Sequence, residues 1–302
     1  MYRPTLFSRP VLFPWLAALA LSWSLSSCVP EPVLIEIPQA ESRLVVASQL
    51  LPGNFLLVNV SRSIGALEYS QQQTDTLSDD ILSRLLLDSA LVVLTWPGGS
   101  DTLIELGAGT WISLATQLEV GVTYDLTVVD SLTGQTVRAS ASPLPIVPWD
   151  SVAYRYVYDT IQFGGSFSVD TSVALHIQFT DPAADNYYLI NNYRVRIPDS
   201  SALGQVVGTD NQQVTFLSDQ LFKSPVYRDT LIYPGFGPGD TLAVTLSNIS
   251  QLYYDFLTVR QRSGTNILSI LLKEPVSYPS NVEGGYGIFA LQLPDVRVLI
   301  LR

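Results

Sequence analysis

The sequence predicts a mainly all-β protein, with an N-terminal immunoglobulin-like β-sandwich and a second antiparallel, sandwich-like β domain that carries one amphipathic helix. Three observations predict this class. Charged residues make up 14% of the chain and hydrophobic residues 47%, whereas typical soluble domains carry about 25% charged residues. Several short apolar runs alternate with polar residues at a period of two, which is typical of half-buried antiparallel strands. A proline cluster at 143–148 then divides the pattern into two parts.

The chain begins with an export signal over residues 1–27. Two arginines precede an apolar run at 11–21, which is shorter than the roughly 20 residues that a membrane-spanning helix needs. The end of the signal has the lipobox pattern of bacterial lipoproteins, an aliphatic residue and two small residues before a cysteine, here Leu25, Ser26, Ser27 and Cys28. We therefore expect signal peptidase to recognise the first three residues and a diacylglyceryl group to be attached to the cysteine thiol.

Cys28 is the only cysteine in the sequence, so it has no partner for an internal disulfide. Two acyl chains on its thiol and a third on the new amino group would anchor the protein stably to a membrane. Residues 28–41 contain three prolines and predict an extended tether, although residues 33–37 could instead pair as an edge strand. The predicted anchor is therefore a lipid followed by a spacer.

Residues 42–147 predict the immunoglobulin-like sandwich. Short runs rich in branched residues, bounded by proline, glycine or serine, predict strands at 44–48, 55–60 and 91–96. A serine followed by two aspartates at 78–80 predicts the start of a short helix over 81–87. The clearest hairpin spans 123–141, where apolar and polar residues alternate on both sides of a turn. A unit of this length built from such strands is most simply an immunoglobulin-like sandwich.

Residues 148–302 predict a C-terminal β-rich domain. Alternating apolar residues predict strands at 152–158, 173–179, 187–197 and 242–246. One segment changes period: after Ser250 the apolar residues keep helical spacing, which predicts an amphipathic helix over 251–262. The chain then closes on a predicted strand at 296–302.

Short motifs distributed over both halves make the chain similar to a known family. In order, they are 41–46 (ESRLVV), 61–63 (SRS), 90–94 (ALVVL), 109–111 (GTW), 121–126 (GVTYDL), 148–152 (PWDSV), 179–182 (FTDP), 186–188 (NYY), 253–254 (YY), 280–281 (SN) and 287–289 (GIF). Together with the lipobox, they resemble the Bacteroidetes lipoproteins grouped as domain-of-unknown-function family 4249, over nearly the whole mature chain.

Members of that family are often encoded beside TonB-dependent outer-membrane receptors. The resemblance therefore implies a lipid-anchored protein of the outer membrane that works with a β-barrel receptor in ligand uptake or assembly. It carries over no catalytic residues, and it leaves open whether the protein faces the periplasm or the cell surface.

Composition argues against two function classes. A net charge of −11 makes a poor surface for nucleic acid, which requires a basic patch. His176 is the only histidine, so a multi-histidine metal site is excluded and a Ser-His-Asp triad would depend on this one residue. We therefore expect a non-enzymatic, membrane-anchored binding or accessory protein without a cofactor. The alternative is a surface adhesin or glycan-binding module.

Aromatic residues and one glycine-rich loop supply the candidate contacts with a ligand or partner. The candidates are Tyr188, Tyr254, Asn281, Gly285 and Tyr286. Tyrosine is enriched at interfaces and its ring recognises sugars and peptides, and each of the two tyrosines falls on the opposite face from a neighbouring tyrosine. The loop at 281–287 contains three glycines that permit special backbone angles, and a purely structural turn is the alternative.

Asp181 and Asp185 flank Pro182 and could supply oxygen ligands to calcium. The same pattern is also typical of a turn in which an aspartate side chain bonds to nearby backbone. No other metal site is predicted.

Overall fold

The computed structural model describes residues 41–51, 55–63, 85–87, 89–114, 116–163, 166–195, 214–263 and 277–302. All of them belong to one compact unit that spans residues 41–302. The predicted signal peptide, the lipobox with Cys28, the tether up to residue 40 and most of the short helix predicted over 81–87 lie outside the described residues.

The described residues form mostly antiparallel strands, which confirms the predicted all-β class. The strands are β1 (Leu44–Leu51), β2 (Phe55–Arg62), β3 (Ala90–Trp96), β4 (Gly99–Thr102), β5 (Ile104–Gly107), β6 (Thr110–Ser113), β7 (Tyr124–Asp130), β8 (Thr136–Ala141), β9 (Trp149–Phe163), β10 (Ser166–Thr180), β11 (Tyr187–Val195), β12 (Thr215–Ser218), β13 (Val226–Pro234), β14 (Thr241–Ile249), β15 (Val282–Glu283), β16 (Tyr286–Ile288) and β17 (Pro294–Ile300). Helix α1 spans Gln251–Ser263.

The first sandwich has the strand order of an immunoglobulin-like domain. One sheet runs β1-β2-β6-β5 and the other β8-β7-β3-β4, which corresponds to the two sheets of that fold with one additional edge strand. Burial alternates along β7, where Tyr124, Leu126 and Val128 are buried. This strand therefore has the one-sided pattern that its sequence predicts.

Tyr124 also stabilises the loop that leads into β7. Its hydroxyl donates to the carbonyl oxygen of Gln117 at 3.3 Å and accepts from the N–H of Glu119 at 2.9 Å. A tyrosine at the start of this strand, bonded back to upstream backbone, is a hallmark of immunoglobulin-like sandwiches. The side chain thus serves the core and the loop together.

Replacing Tyr124 with phenylalanine is expected to lower the free energy of unfolding by about 1 kcal/mol, since two backbone groups lose their partner while the ring stays in the core. Urea unfolding measures the loss. The control is Tyr158→Phe, because the Tyr158 side chain is 64% exposed and its hydroxyl can bond to water. Equal losses in the two variants would refute this role of Tyr124.

The second sandwich packs a three-stranded sheet, β13-β10-β9, against a four-stranded sheet, β12-β11-β14-β17. Its core lies between alternate residues of β10 and those of β11 and β14, and includes Val173, Leu175, Ile177, Phe179, Tyr188, Ile190, Leu242, Val244 and Leu246. The far face of the four-stranded sheet is also covered, because Leu257 of α1 packs against Leu189 and Ile249.

Helix α1 begins at the predicted position. The hydroxyl of Ser250 accepts from the N–H of Tyr253 at 3.3 Å, and the carbonyl of Ser250 accepts from the N–H of Tyr254 at 3.0 Å. A serine that accepts from the third helical N–H is a favourable N-cap. The sequence prediction of a helix over 251–262 is therefore confirmed.

The segment that begins at residue 277 returns to the first sandwich. β15 pairs with β8, and β16 pairs in parallel with β1, where Ala47 lies opposite Ile288. The edge of β1 would otherwise present unpaired backbone groups. Residues within the predicted C-terminal domain of 148–302 therefore extend both sheets of the N-terminal sandwich, while β17 completes the second one.

Candidate functional site

The predicted contact loop at 281–287 is held by Asn281. Its side-chain amide donates to the carbonyls of Ser140 at 3.0 Å and Phe289 at 2.7 Å, while its oxygen accepts from the N–H of Phe289 at 2.9 Å. These bonds satisfy the amide within the protein. The structure thus gives Asn281 a structural position, which matches the structural alternative considered for this loop.

The glycines of the loop allow two backbones to approach each other. A Cβ on Gly285 would lie 2.4 Å from the carbonyl oxygen of Leu44 and 2.7 Å from Val137, and one on Gly287 would lie 1.9 Å from the carbonyl oxygen of Val46. Gly287 also has a φ of +106°, which favours glycine. Because neither residue has a side chain, the loop can pack tightly against β1.

Tyr286 is the predicted contact residue that this packing leaves at the surface, with 48% of the side chain exposed. The guanidinium of Arg43 lies 5.6 Å from the centre of its ring, within the range of a cation–π contact. One part of the predicted loop is therefore available to a ligand.

Tyr286 borders a groove of about 600 Å³ between the outer face of β1 and helix α1. Its walls include Val45, Ala47, Phe256, Tyr278 and Tyr286, with Arg260 as the charged residue among the described lining residues. The rings of Phe256 and Tyr278 lie 5.7 Å apart. A mostly apolar concavity with one placed charge has the character of a small-molecule site.

Tyr188 lies in the core of the second sandwich, with none of its side chain exposed, so it is not a surface contact. Its ring stacks on Phe222 at 5.9 Å and packs on Phe179 at 4.8 Å. Its hydroxyl donates to a carboxylate oxygen of Asp181. Burial, and then the bond to this carboxylate, raise the pKa of Tyr188 well above its usual range. The prediction of a contact role for Tyr188 is therefore wrong, because β11 is covered on both faces.

Tyr254 is half-buried and helps to dock α1 on the four-stranded sheet. Its ring lies 4.8 Å from that of Tyr187 and 5.7 Å from that of Phe216, the second in an edge-on arrangement. These contacts give the ring a packing role. Tyr254 and Tyr286 do not belong to one contact surface: Tyr286 lines the groove and Tyr254 faces the sheet.

Asp181 and Asp185 have different surroundings. Asp181 accepts from the hydroxyl of Tyr188, and the side chain of Asp185 is exposed. Between them and β11, Asn186 donates to the carbonyls of Pro182 and Ala184, which organises the turn. Across the described part of the chain, His, Cys, Asp and Glu side chains do not gather in groups of three or more that could hold a metal.

His176 lies on the exposed face of the three-stranded sheet. Its Nδ1 is 2.9 Å from the hydroxyl oxygen of Thr230, which is its direct neighbour across β10 and β13. This is the cross-strand position that the sequence alternation indicates.

A second surface is formed by the free end of the β9–β10 hairpin, here called the arm, residues 158–163 and 166–171. β13 pairs with β10 only from Ser172 onward, so the arm has two strands. The row of side chains that starts in the core with Val173 continues into solvent, where Tyr158, Val169 and Phe167 are 64%, 63% and 71% exposed. The arm thus presents three exposed apolar side chains on a face that they share with Thr160, Gln162 and Thr171.

Cys28 and the predicted recognition residues Leu25, Ser26 and Ser27 lie outside the described residues. Among the residues that are described, none of the helices has the length and apolar character needed to cross a membrane.

Sequence reasoning missed most of the groove and the arm. Val45 and Ala47 alternate with buried Leu44 and Val46, so β1 carries apolar residues on both faces. That pattern is the available signal that something covers the second face. The remaining walls, Phe256, Arg260 and Tyr278, come from segments that only the tertiary structure brings together.

Comparison with known proteins agrees with the resemblance in the sequence motifs. No curated protein matches the chain. A family model described as Domain of unknown function (DUF4249) matches residues 30–294, which covers the first sandwich and all of the second except most of strand β17. The chain therefore belongs to the DUF4249 family.

Proposed function

We propose that the protein is a lipid-anchored, non-enzymatic binding subunit of the bacterial outer membrane that works beside a β-barrel receptor in ligand uptake or assembly. The anchor is Cys28 in its lipobox. The observation that supports a protein partner is the arm, whose three exposed apolar side chains lie in solvent. Exposed apolar surface on a folded protein commonly marks an interaction site.

The arm is unusual because a two-stranded hairpin is at best marginally stable by itself in water. Both of its edges also present backbone groups that a further strand could bond. On the face opposite the apolar row, Asp159 lies directly across from Asp170, and like charges in this position repel. A partner with an apolar patch would cover the exposed apolar side chains, and a nearby basic residue on that partner would offset the repulsion between Asp159 and Asp170.

The anchor predicts a clear fractionation result. Replacing Cys28 with alanine is expected to move the protein from the membrane fraction to the soluble fraction, because the thiol that carries the lipid is lost. Globomycin-type inhibition of lipoprotein processing should act on the native chain and not on the variant. A Cys28→Ala protein that stays fully membrane-bound would contradict lipid anchoring.

The arm predicts the loss of a partner when two of its exposed apolar side chains are made polar. Phe167→Ser combined with Val169→Ser is expected to reduce the yield of a co-purified outer-membrane β-barrel by about tenfold or more, as expected for loss of a buried aromatic anchor. Co-purification in mild detergent after cross-linking of intact cells measures this yield.

The matched control is Leu132→Ser, which removes a side chain of similar exposure, 77%, from a turn of the first sandwich. It should leave the yield unchanged. Equal yields from the control and the arm variant, or the absence of a β-barrel partner with the native chain, would refute the proposed role of the arm.

A further inference from the structure

We propose that the groove between β1 and α1 binds a single-chain amphiphile with an anionic head group, of which a long-chain carboxylate is the simplest example. The groove is separate from the arm, so this inference does not rest on the proposed partner. It assigns a ligand class to a site that the family description leaves open.

The walls favour an alkyl chain. Val45 and Ala47 form one side on the outer face of β1, and the paired rings of Phe256 and Tyr278 form part of the other. A volume of about 600 Å³ is in the range of sites that enclose a small organic ligand. Each methylene that leaves water for such walls should raise affinity by roughly fourfold until the groove is filled.

The charges at the groove favour an anionic head group. Arg260 lines the groove, and Arg43 stands over the ring of Tyr286 at its border. Both are cationic, whereas the chain as a whole carries a net charge of −11. A carboxylate or phosphate can accept hydrogen bonds from a guanidinium, while an ammonium head group would be repelled.

The position of Arg260 also limits the strength of this charge effect. The residue lies in the last turn of α1, where the negative end of the helix dipole stabilises a cation and partly offsets its attraction for an anion. The apolar walls should therefore supply most of the affinity. The guanidinium of Arg260 should determine which head group is preferred.

The test uses the full chain in a phosphatidylcholine nanodisc and two photoreactive probes, dodecanoate and dodecylamine. Each carries a diazirine in the half of the alkyl chain next to the head group, because Phe256 lies one helical turn from Arg260. Dodecanoate is expected to label groove residues, above all Phe256 and Tyr278, at least about fivefold more than dodecylamine does, since an exposed charge contact contributes about 1 kcal/mol. Mass spectrometry locates the label.

Three variants separate the contribution of the Arg260 charge from that of the apolar walls. Arg260→Gln should reduce labelling by dodecanoate to the level of the amine, and Ala47→Trp should abolish labelling by both probes because the indole fills the groove. Arg262→Gln, in the same helical turn but not in the groove lining, should label like the native chain. Equal labelling by the two probes, label located outside the groove, or undiminished labelling of Arg260→Gln would overturn the proposal.

Discussion

Replacing Gly287 with alanine is expected to lower the free energy of unfolding by at least about 3 kcal/mol, more than a typical point substitution. The new Cβ would lie 1.9 Å from the carbonyl oxygen of Val46 and 2.9 Å from its nitrogen, on the strand that β16 joins. The φ of +106° adds about 1–2 kcal/mol of strain for any residue with a Cβ. β1 cannot retreat because β2 holds its other edge.

The control for this prediction is Gly239→Ala. Gly239 has a similar φ of +93°, but a Cβ there would meet nothing within 4 Å, so the variant reports backbone strain alone. Urea unfolding followed by tryptophan fluorescence, to which buried Trp111 of the first sandwich and buried Trp149 of the second both contribute, measures both variants. If the two lose the same stability, the closing segment is not held tightly on β1.

Replacing Asp130 with alanine is also expected to have a large effect. It should lower the free energy of unfolding by about 3 kcal/mol at neutral pH. Asp130 ends β7 with its side chain 0% exposed, and it accepts from Arg62 at the end of β2 at 2.6 Å. It also accepts from the hydroxyl of Thr133 at 2.6 Å and the N–H of Leu132 at 2.9 Å. The carboxylate therefore ties the two sheets of the first sandwich to each other and to the β7–β8 turn.

The control for Asp130 is a pair whose cation is far more exposed than either member of the Asp130–Arg62 pair. Arg297 lies 3.3 Å from Asp295 and is half exposed, so Arg297→Ala should cost less than about 1 kcal/mol. If Asp130→Ala lowers the free energy of unfolding as little as Arg297→Ala does, water must replace the interactions of the cross-sheet pair at little cost.

Asp130 also predicts how stability depends on pH. Burial alone would raise its pKa, but hydrogen bonds from Thr133, Arg62 and Leu132 outweigh burial and lower the pKa to about 2 from the ordinary 3.8. The unfolded chain thus binds a proton more readily, and the stabilisation is fully present above about pH 4. It should be lost as the pH falls toward 2, by about 2 kcal/mol in total. Asp130→Asn should remove this part of the acid dependence in urea unfolding at stepped pH.

Much of the fold could be predicted from local patterns in the sequence. The alternation over 123–141 predicted β7 and β8, and the change of period after Ser250 predicted α1. In both cases one face is buried and the other is not, so the period of the apolar residues reports the secondary structure directly.

The same reasoning failed where an element is buried on both sides. The sequence makes Tyr188 a candidate contact because it falls on the opposite face of β11 from its neighbour Tyr187. In the structure the second sandwich covers Tyr188, and α1 covers the side of Tyr187 through Tyr254. Alternation cannot assign the exposed face of a strand that has none.

The sequence by itself determined the class of the protein, its family, the two β-rich regions and the lipobox prediction, because each depends on residues that are close together along the chain. Only the tertiary structure decided that residues 282–288 complete the sheets of the first sandwich, and that the groove forms between β1 and α1. Those features join segments more than 140 residues apart along the chain. Their pairing depends on backbone hydrogen bonds and close glycine contacts, which leave no periodic pattern in the sequence.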